Sequence, residues 1–327
     1  MMGTIEEIIR EINTRNHFLL TTHIHPDGDA LGSILALSFL LDSLGKKSVL
    51  FTEDPVPHQY LFLPGVERTT HELKSLSNID ACIVVDCGDS DRIGPEAGRI
   101  MEIHPTIVID HHLGRHAFGD IRWVNPESSA AGELVHNLIK ATGAKITYEM
   151  AVNLYVAILT DTGSFRYAST TSQALRIAAE MVDTGVDPAW VSELIYETYP
   201  ANRLRLLCAV LSTLRLYYEG RVAVISAPHE VFRSTCTSVE DAEGLVNYPR
   251  AIAGVQLAVI IKEVERNCFS VSLRSRNGIN AAYIAEKFGG GGHFNAAGFK
   301  RCGDYEAIRD DLLAETGLIM EKKAVGF

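Results

Sequence analysis

Four short stretches in the first half of the chain concentrate aspartate and histidine: His23-Ile24-His25-Pro26-Asp27-Gly28-Asp29, Asp86, the triplet Asp110-His111-His112, and Asp161. Gathered at one place, Asp27, Asp29, Asp86 and Asp161 would bring four negative charges together, a set that cannot ionise fully without counter-charge. Two divalent cations would supply it. Hard oxygen ligands mixed with imidazoles suit manganese, magnesium, iron or cobalt better than a thiolate-seeking metal. The Asp-x-Asp spacing fits, because alternate side chains converge where adjacent ones diverge, so Asp27 and Asp29 can each face a different ion. His25 is given no role. Taken singly, each piece has an ordinary explanation. Pro, Asp and Gly make turns, Asp86 could cap a helix, and paired histidines could be satisfied core residues. Those explanations fail jointly if the four pieces share one edge of one sheet.

The surrounding pattern predicts that they do. Short apolar runs alternate with amphipathic segments, as in a doubly wound, mainly parallel α/β sheet. Strands are expected over 18–22, 48–51, 81–85 and 106–109, and helices over 4–14, 31–44, 130–142, 149–160 and 172–184. Three of the clusters stand just beyond a strand, where open α/β sheets bind ligands. Asp161 ends a helix and faces the negative end of its macrodipole, which costs a few tenths to ~1 kcal/mol unless a cation compensates. Asp187-Pro188 starts a further helix by N-cap and first-turn proline. A leucine-rich helix over 200–216 follows. Strands over 217–226, 255–264 and 268–273, with helices over 281–288 and 305–315, complete a smaller α+β domain. The expected division is a metal-binding catalytic domain over 1–186, a helical linker over 187–216 and a substrate-binding domain over 217–327. The linker leucines admit either a homodimer or packing within the chain.

Composition narrows the class. With 327 residues, 46% hydrophobic and 22% charged, the chain can bury two ordinary cores. Residues 1–12 read as an amphipathic helix rather than a secretory signal, and no apolar run approaches the ~20 residues of a membrane span. The six cysteines are scattered without a CxxC pair, so reduced thiols in a cytoplasmic protein are expected. A net charge of -11 disfavours long nucleic acid, which needs a basic groove. Nucleotide chemistry is therefore expected on short or mononucleotide substrates.

At these residues the chain resembles the DHH phosphoesterase superfamily. Its four motifs occur in order as THIHPDGDALGS (22–33), VVDCGD (84–89), IDHH (109–112) and LTDTGSFRY (159–167). SLRS (272–275) and GGGGHFNAAGF (289–299) resemble the DHH-associated domain, so the likeness covers nearly the whole chain. The nearest branch by length and layout is the bifunctional oligoribonuclease and pAp phosphatase group, the nanoRNases. The resemblance implies one metal held by His23, Asp27 and Asp86, and a second held by Asp29, Asp86, His111 and Asp161, with Asp86 bridging. It implies that His112 faces the substrate phosphate and that Asp110 supports the triplet from behind. The ions are expected to be Mn2+, with Mg2+, Co2+ or Fe2+ as substitutes. Arg274, Gly290, Gly291, Gly292 and His293 are expected to bind substrate, with weaker grounds for Arg276 and Asn295. Arg166 and Tyr167 stand close enough to Asp161 to reach the same place.

The implied reaction is in-line attack on phosphorus by a hydroxide bridging two ions, with His112 stabilising the charge that develops. Short oligoribonucleotides, mainly dinucleotides, and 3′-phosphoadenosine 5′-phosphate (pAp) are the expected substrates, gripped between the two domains. Two other readings use the same motifs. One is a standalone phosphodiesterase for cyclic di-AMP or linear pApA. The other, from a different class, is a non-catalytic nucleotide sensor, against which the complete ligand set argues. The manganese pyrophosphatase branch lacks the GGGGH run, and the chain has no room for the added domains of the RecJ exonucleases.

Overall fold

Helix α1 (Ile5–Thr14) opens on a capping box, in which Thr4 Oγ1 accepts from the Glu7 amide and the Glu7 carboxylate accepts from the Thr4 amide. The computed structural model describes residues 4–112, 117–276 and 278–324. It divides into two units, Met1–Thr198 and Tyr199–Phe327. No helix among the described residues is long and apolar enough to cross a membrane.

After α1 the first unit continues through β1 (His17–Thr21), α2 (Gly28–Ser43), β2 (Lys47–Phe51), β3 (Thr69–Thr70), β4 (Ala81–Val85) and α3 (Ala97–Ile100). It closes with β5 (Thr106–Asp110), β6 (Ile121–Val124), α4 (Ala131–Thr142), α5 (Tyr148–Asp161), α6 (Ser172–Asp183) and α7 (Pro188–Tyr196). All pairings are parallel, in the order β3-β2-β1-β4-β5-β6. The order reverses between β1 and β4, and that is where a doubly wound sheet opens a crevice at the carboxyl ends of its strands.

The expected α/β class holds, and so do the four expected strands to within a residue or so. Strands β3 and β6 were not expected: β3 is two residues long, and β6 is a short, half-buried edge. Strand residues alternate between two apolar layers. Phe18, Leu20, Ile83, Val85, Ile107 and Ile109 join the larger core with α1, α2, α4 and α5. Leu19, Phe51, Cys82, Val84 and Val108 face Ile93, Ile100 and Ile103 on the other side.

Helix α2 starts three residues earlier than its apolar stripe suggests, because Asp27 Oδ1 caps it by accepting from the Asp29 and Ala30 amides, both at 3.1 Å. It then crosses α5 at close range. A Cβ on Gly32 would stand 2.3 Å from the Asn153 carbonyl, and one on Gly28 would stand 2.5 Å from the Thr160 side chain. The glycines at 28 and 32 therefore let two helices carrying Asp29 and Asp161 approach backbone to backbone.

The second unit holds α8 (Ala201–Ser212), β7 (Arg215–Tyr217), β8 (Val222–Ala227), α9 (His229–Thr235), α10 (Asn247–Arg250), β9 (Leu257–Glu265) and β10 (Cys268–Ser275). These are followed by α11 (Ala281–Lys287), β11 (Gly291–His293), β12 (Ala296–Cys302) and α12 (Tyr305–Ala324). Its sheet runs β11-β12-β10-β9-β8-β7 and is mixed, with β8 and β9 parallel. The stretch expected as one strand over 217–226 is a hairpin. Tyr218, Glu219 and Gly220 all take positive φ (52°, 57° and 83°), and the chain reverses there. Within the segment expected as a linker, Val191 and Ile195 of α7 are buried in the first core, whereas Leu206 and Val210 of α8 are buried among residues of the second.

The cysteines depart from expectation. Cys268 and Cys302 form a disulfide, because the antiparallel register of β10 and β12 sets them directly opposite one another. Register is a tertiary property that their 34-residue separation does not disclose. The other four cysteines are free.

Gly32→Ala is expected to destabilise the protein by about 1–3 kcal/mol, the usual cost of overpacking a tight contact. Thermal melts read this as a drop of several degrees; an unchanged midpoint would mean that the α2–α5 crossing tolerates a methyl group.

Candidate metal centre

Strands β1 and β4, on either side of the reversal, deliver the two residues that begin the site. His23 lies two residues past β1, and Asp86 immediately follows β4. Asp86 is left-handed, φ 57°, a conformation that costs a non-glycine residue about 1–2 kcal/mol. Its amide donates to the Ile109 carbonyl at 3.0 Å, which ties it to the next strand. Asp110 ends β5, and His111 and His112 follow. Asp161 is the last residue of α5.

Asp86 is 2% exposed and lies between two imidazoles. Its Oδ2 is 3.5 Å from His23 Nε2, and its Oδ1 is 3.5 Å from His111 Nε2. Each imidazole has its other nitrogen bound to a backbone carbonyl: His23 Nδ1 to Ile24 at 2.7 Å and His111 Nδ1 to Ser128 at 3.1 Å. A carbonyl can only accept, so both Nδ1 atoms carry hydrogen, and Nε2 is the lone-pair nitrogen of the neutral rings. His111 Nε2 also faces Asp161 Oδ2 at 3.5 Å and Asp29 Oδ2 at 3.8 Å.

Among the described residues, two groups of three emerge with ligand atoms mutually within 4.8 Å: His23, Asp27 and Asp86, and Asp29, His111 and Asp161. A third, Asp86 with His111 and His112, overlaps them. Asp86 Oδ1 and His111 Nε2 are buried without a hydrogen-bond partner among the described residues. Such orphaned atoms are costly unless something else satisfies them, and a divalent cation does so for an oxygen and an imidazole lone pair alike. The donor set therefore fits metal.

The carboxylates are held by different means. Asp27 spends Oδ1 on the α2 cap. Asp29, 1% exposed, accepts at Oδ2 from the Ala131 amide (2.6 Å), and at Oδ1 from the Gly132 amide (2.8 Å) and Ser33 Oγ (3.1 Å). The first amides of α4 thus point at it, where the helix dipole favours an anion. A Cβ on Gly132 would stand 2.5 Å from Ala157, so only glycine admits this approach. Asp110 Oδ1 accepts from the His111 amide (2.8 Å), the His112 amide (3.1 Å) and His112 Nδ1 (2.8 Å). It thereby fixes the His112 ring and aims Nε2 away from itself.

The titration behaviour reflects crowding. Burial disfavours a charged His111, but Asp86, Asp29 and Asp161 outweigh it and push the imidazole up to about 11. His23 is raised on the same balance, burial being overcome chiefly by Asp86. Burial, and then Asp86 and Asp161, push Asp29 well up. Burial raises Asp161 to about 7, with His111 opposing. Asp86 goes the other way, because its two imidazole partners overcome burial and hold it below the ordinary carboxylate range.

All seven first-unit residues singled out from sequence as metal-site or supporting groups come together here. The partners Ser33, Ser128 and the Ala131 and Gly132 amides were not anticipated. The only signal for the α4 amides was a run of small residues, Ala130-Ala131-Gly132, opening a helix. Arg92 was also passed over: its carbonyl accepts from Ile24 at 2.6 Å beside His23.

In the second unit, Arg274 is half-buried on β10 and donates from Nη1 to the Leu273 carbonyl at 3.0 Å. The glycine run has structural duties. The Gly290 amide donates to the Ala285 carbonyl at 2.9 Å to close α11, so it is not offered to a ligand. Cβ atoms on Gly290 and Gly292 would meet β12 backbone at 2.2 and 2.5 Å. Gly291 pairs with Gly298. His293 ends β11, and its side chain lies outside the described part of the chain.

Comparison with known proteins agrees with this architecture. Residues 17–158 match the N-terminal domain of the DHH family, and residues 229–315 match the DHHA1 domain. The bifunctional oligoribonuclease and PAP phosphatase NrnA of Thermus thermophilus is 33% identical over 299 residues, 91% of this chain and 87% of that protein. NrnA of Bacillus subtilis is 27% identical over 300 residues, 89% of this chain and 91% of its own length. The crystal structure of an exopolyphosphatase-related protein from Bacteroides fragilis superposes with a TM-score of 0.90 at 28% identity, covering 97% of both chains.

In metal-free protein, His23, Asp29, His111 and Asp161 all have pKa values above their unfolded ones. The native state then binds more protons than the unfolded chain, so stability falls as pH rises. The window runs from the ordinary Asp value of 3.8 to about 7 for Asp161 and from 6.5 to about 11 for His111. Asp161, with a side chain 32% exposed, contributes less through solvent screening. The expected outcome is a melting temperature in EDTA that declines from about pH 5.5 to about 8.5, and a rise on adding Mn2+ that is larger at the higher pH. A midpoint that climbs with pH in EDTA would contradict this electrostatic account.

Proposed function

The chain belongs to the DHH family of phosphoesterases, and from that premise we propose that it hydrolyses short oligoribonucleotides, mainly dinucleotides, and pAp, using two divalent cations, Mn2+ foremost. The observation that carries the two-ion reading is Asp86, with one oxygen toward His23 and the other toward His111. A carboxylate so placed belongs to the first group of three and faces His111 of the second. His23, Asp27 and Asp86 would hold one ion, and Asp29, Asp86, His111 and Asp161 the other.

When bound, such ions lower the pKa of water toward neutrality and offset negative charge at the phosphoryl group. The chain's residues do the rest. The Ile24 and Ser128 carbonyls keep His23 and His111 in the ligating tautomer. The α4 amides hold Asp29 in place. His112, fixed by Asp110 through Nδ1, donates from Nε2 to a non-bridging oxygen or to the leaving oxygen of the ester, where charge grows in the transition state. Arg274, with Gly291, Gly292 and His293, would bind the substrate's terminal phosphate or base.

Names of relatives favour these substrates: NrnA proteins are oligoribonucleases and PAP phosphatases. The net charge of -11 agrees with short substrates, since a long polyanion would be repelled.

Asp86→Ala is expected to abolish Mn2+ binding measured by calorimetry, together with turnover. His112→Ala should lower kcat by about 10²–10⁴-fold while leaving Mn2+ affinity near wild type, and retention of normal kcat would remove His112 from the reaction. In a hydrolysis panel with Mn2+, pAp and a 5′-phosphorylated dinucleotide should turn over much faster than cyclic di-AMP, pyrophosphate or a long single-stranded RNA. Dominant cleavage of cyclic di-AMP would replace this substrate assignment, and no turnover at all would indicate a sensor.

A further inference from the structure

Helix α5 ends at Asp161, and the chain then makes an uncommon turn. Gly163, Ser164 and Phe165 are three consecutive left-handed residues, with φ of 57°, 61° and 60°. L-residues enter this region singly rather than in runs. Buried Thr162 ties the turn together. Its carbonyl accepts from the Arg166 and Tyr167 amides, both at 3.0 Å, and its hydroxyl accepts from the Phe165 amide at 3.1 Å. The Ser164 amide donates back to Leu159 at 2.8 Å. The Tyr167 ring lies so close over Gly163 that a Cβ there would stand 2.3 Å away.

Arg166 leaves this turn exposed to solvent. Its Nε donates to the Gly163 carbonyl at 2.8 Å, so the guanidinium is anchored two residues from Asp161 and its plane is set. The two terminal nitrogens have no partner among the described residues, although the chain carries 41 acidic residues. An arginine beside a carboxylate cluster would ordinarily settle into an ion pair. Here the guanidinium is anchored through Nε to the turn instead, and the residue is exposed.

We propose that Arg166 is a substrate-contact residue whose terminal nitrogens take two oxygens of a substrate phosphate group as a bidentate pair. The ligand class is a phosphate ester, and the inference rests on the phosphoesterase reading above. The planar fork matches phosphate geometry, and a lysine ammonium does not. The left-handed turn holds the guanidinium in position before substrate arrives, which cuts the entropy lost on binding. An alternative role, in which the cation merely caps the α5 C-terminus, would be served equally by lysine.

The test uses the full chain with Mn2+ and the variants Arg166→Ala and Arg166→Lys. KM and kcat are measured on pAp and a 5′-phosphorylated dinucleotide, and AMP binding is measured by calorimetry as a readout independent of turnover. Arg166→Ala is expected to weaken AMP binding and lower kcat/KM by about 10–100-fold, as for loss of a charged hydrogen-bonding partner. Lysine should recover only a small part of this, and Mn2+ affinity and melting temperature should stay at wild-type values. Wild-type AMP affinity in Arg166→Ala overturns the proposal. So does full rescue by lysine, which points to helix capping, and so does a loss of Mn2+ affinity or stability, which points to a structural role. If the wild type cleaves neither substrate yet Arg166→Ala still weakens AMP binding, the substrate assignment fails and the Arg166 contact stands.

Discussion

Repulsion among carboxylates governs the first unit. Asp29 and Asp86 are almost wholly buried, and Asp27 and Asp161 complete a set whose ligand atoms crowd within a few ångströms of two imidazoles. In a low-dielectric setting like charges this close are costly. The pKa values record the strain: Asp29 and Asp161 are driven up, both imidazoles are driven up with them, and Asp86 is held down between its partners. Protons relieve the cluster in part, and metal would relieve it more fully. Much of the surrounding structure serves to keep these groups from moving apart.

The restraint is mostly backbone. Carbonyls of Ile24 and Ser128 orient two rings, the first amides of α4 grip Asp29, and Asp110 gathers two amides and a third ring nitrogen. Backbone groups make good restraints because they carry no rotamer freedom of their own. Glycine at 28, 32 and 132 permits the approaches that bring those groups close. Left-handed Asp86 turns its side chain off the end of β4, a local cost accepted where the surrounding sheet over-determines the conformation.

The second unit shows how a motif can be legible while its structural duties stay hidden. A run of four glycines suggests free amides awaiting a phosphate. In the fold, Gly290 closes a helix, and Gly290 and Gly292 make room for a neighbouring strand. The hairpin at 218–220 and the Cys268–Cys302 bond were likewise hidden. In each case the deciding fact is which strand lies alongside, and a β-register joins residues far apart in the chain.

Local signals were enough for the elements and for the ligand types. Alternating apolar runs marked β1, β2, β4 and β5, helical stripes marked α4 to α6, and the order of the four Asp/His motifs marked the family. Those features depend on neighbours within a few positions, so the amino-acid sequence by itself determined them. The strand order β3-β2-β1-β4-β5-β6 was decided only by tertiary structure. So were the two-sided placement of Asp86 and the α4 amides on Asp29, about a hundred positions away. The anchored guanidinium of Arg166 belongs with them, because its bond to the Gly163 carbonyl depends on a three-residue left-handed turn that no local preference foretells. Chemistry at a metal centre depends on distances between atoms, and distances between remote segments exist only once the chain has packed.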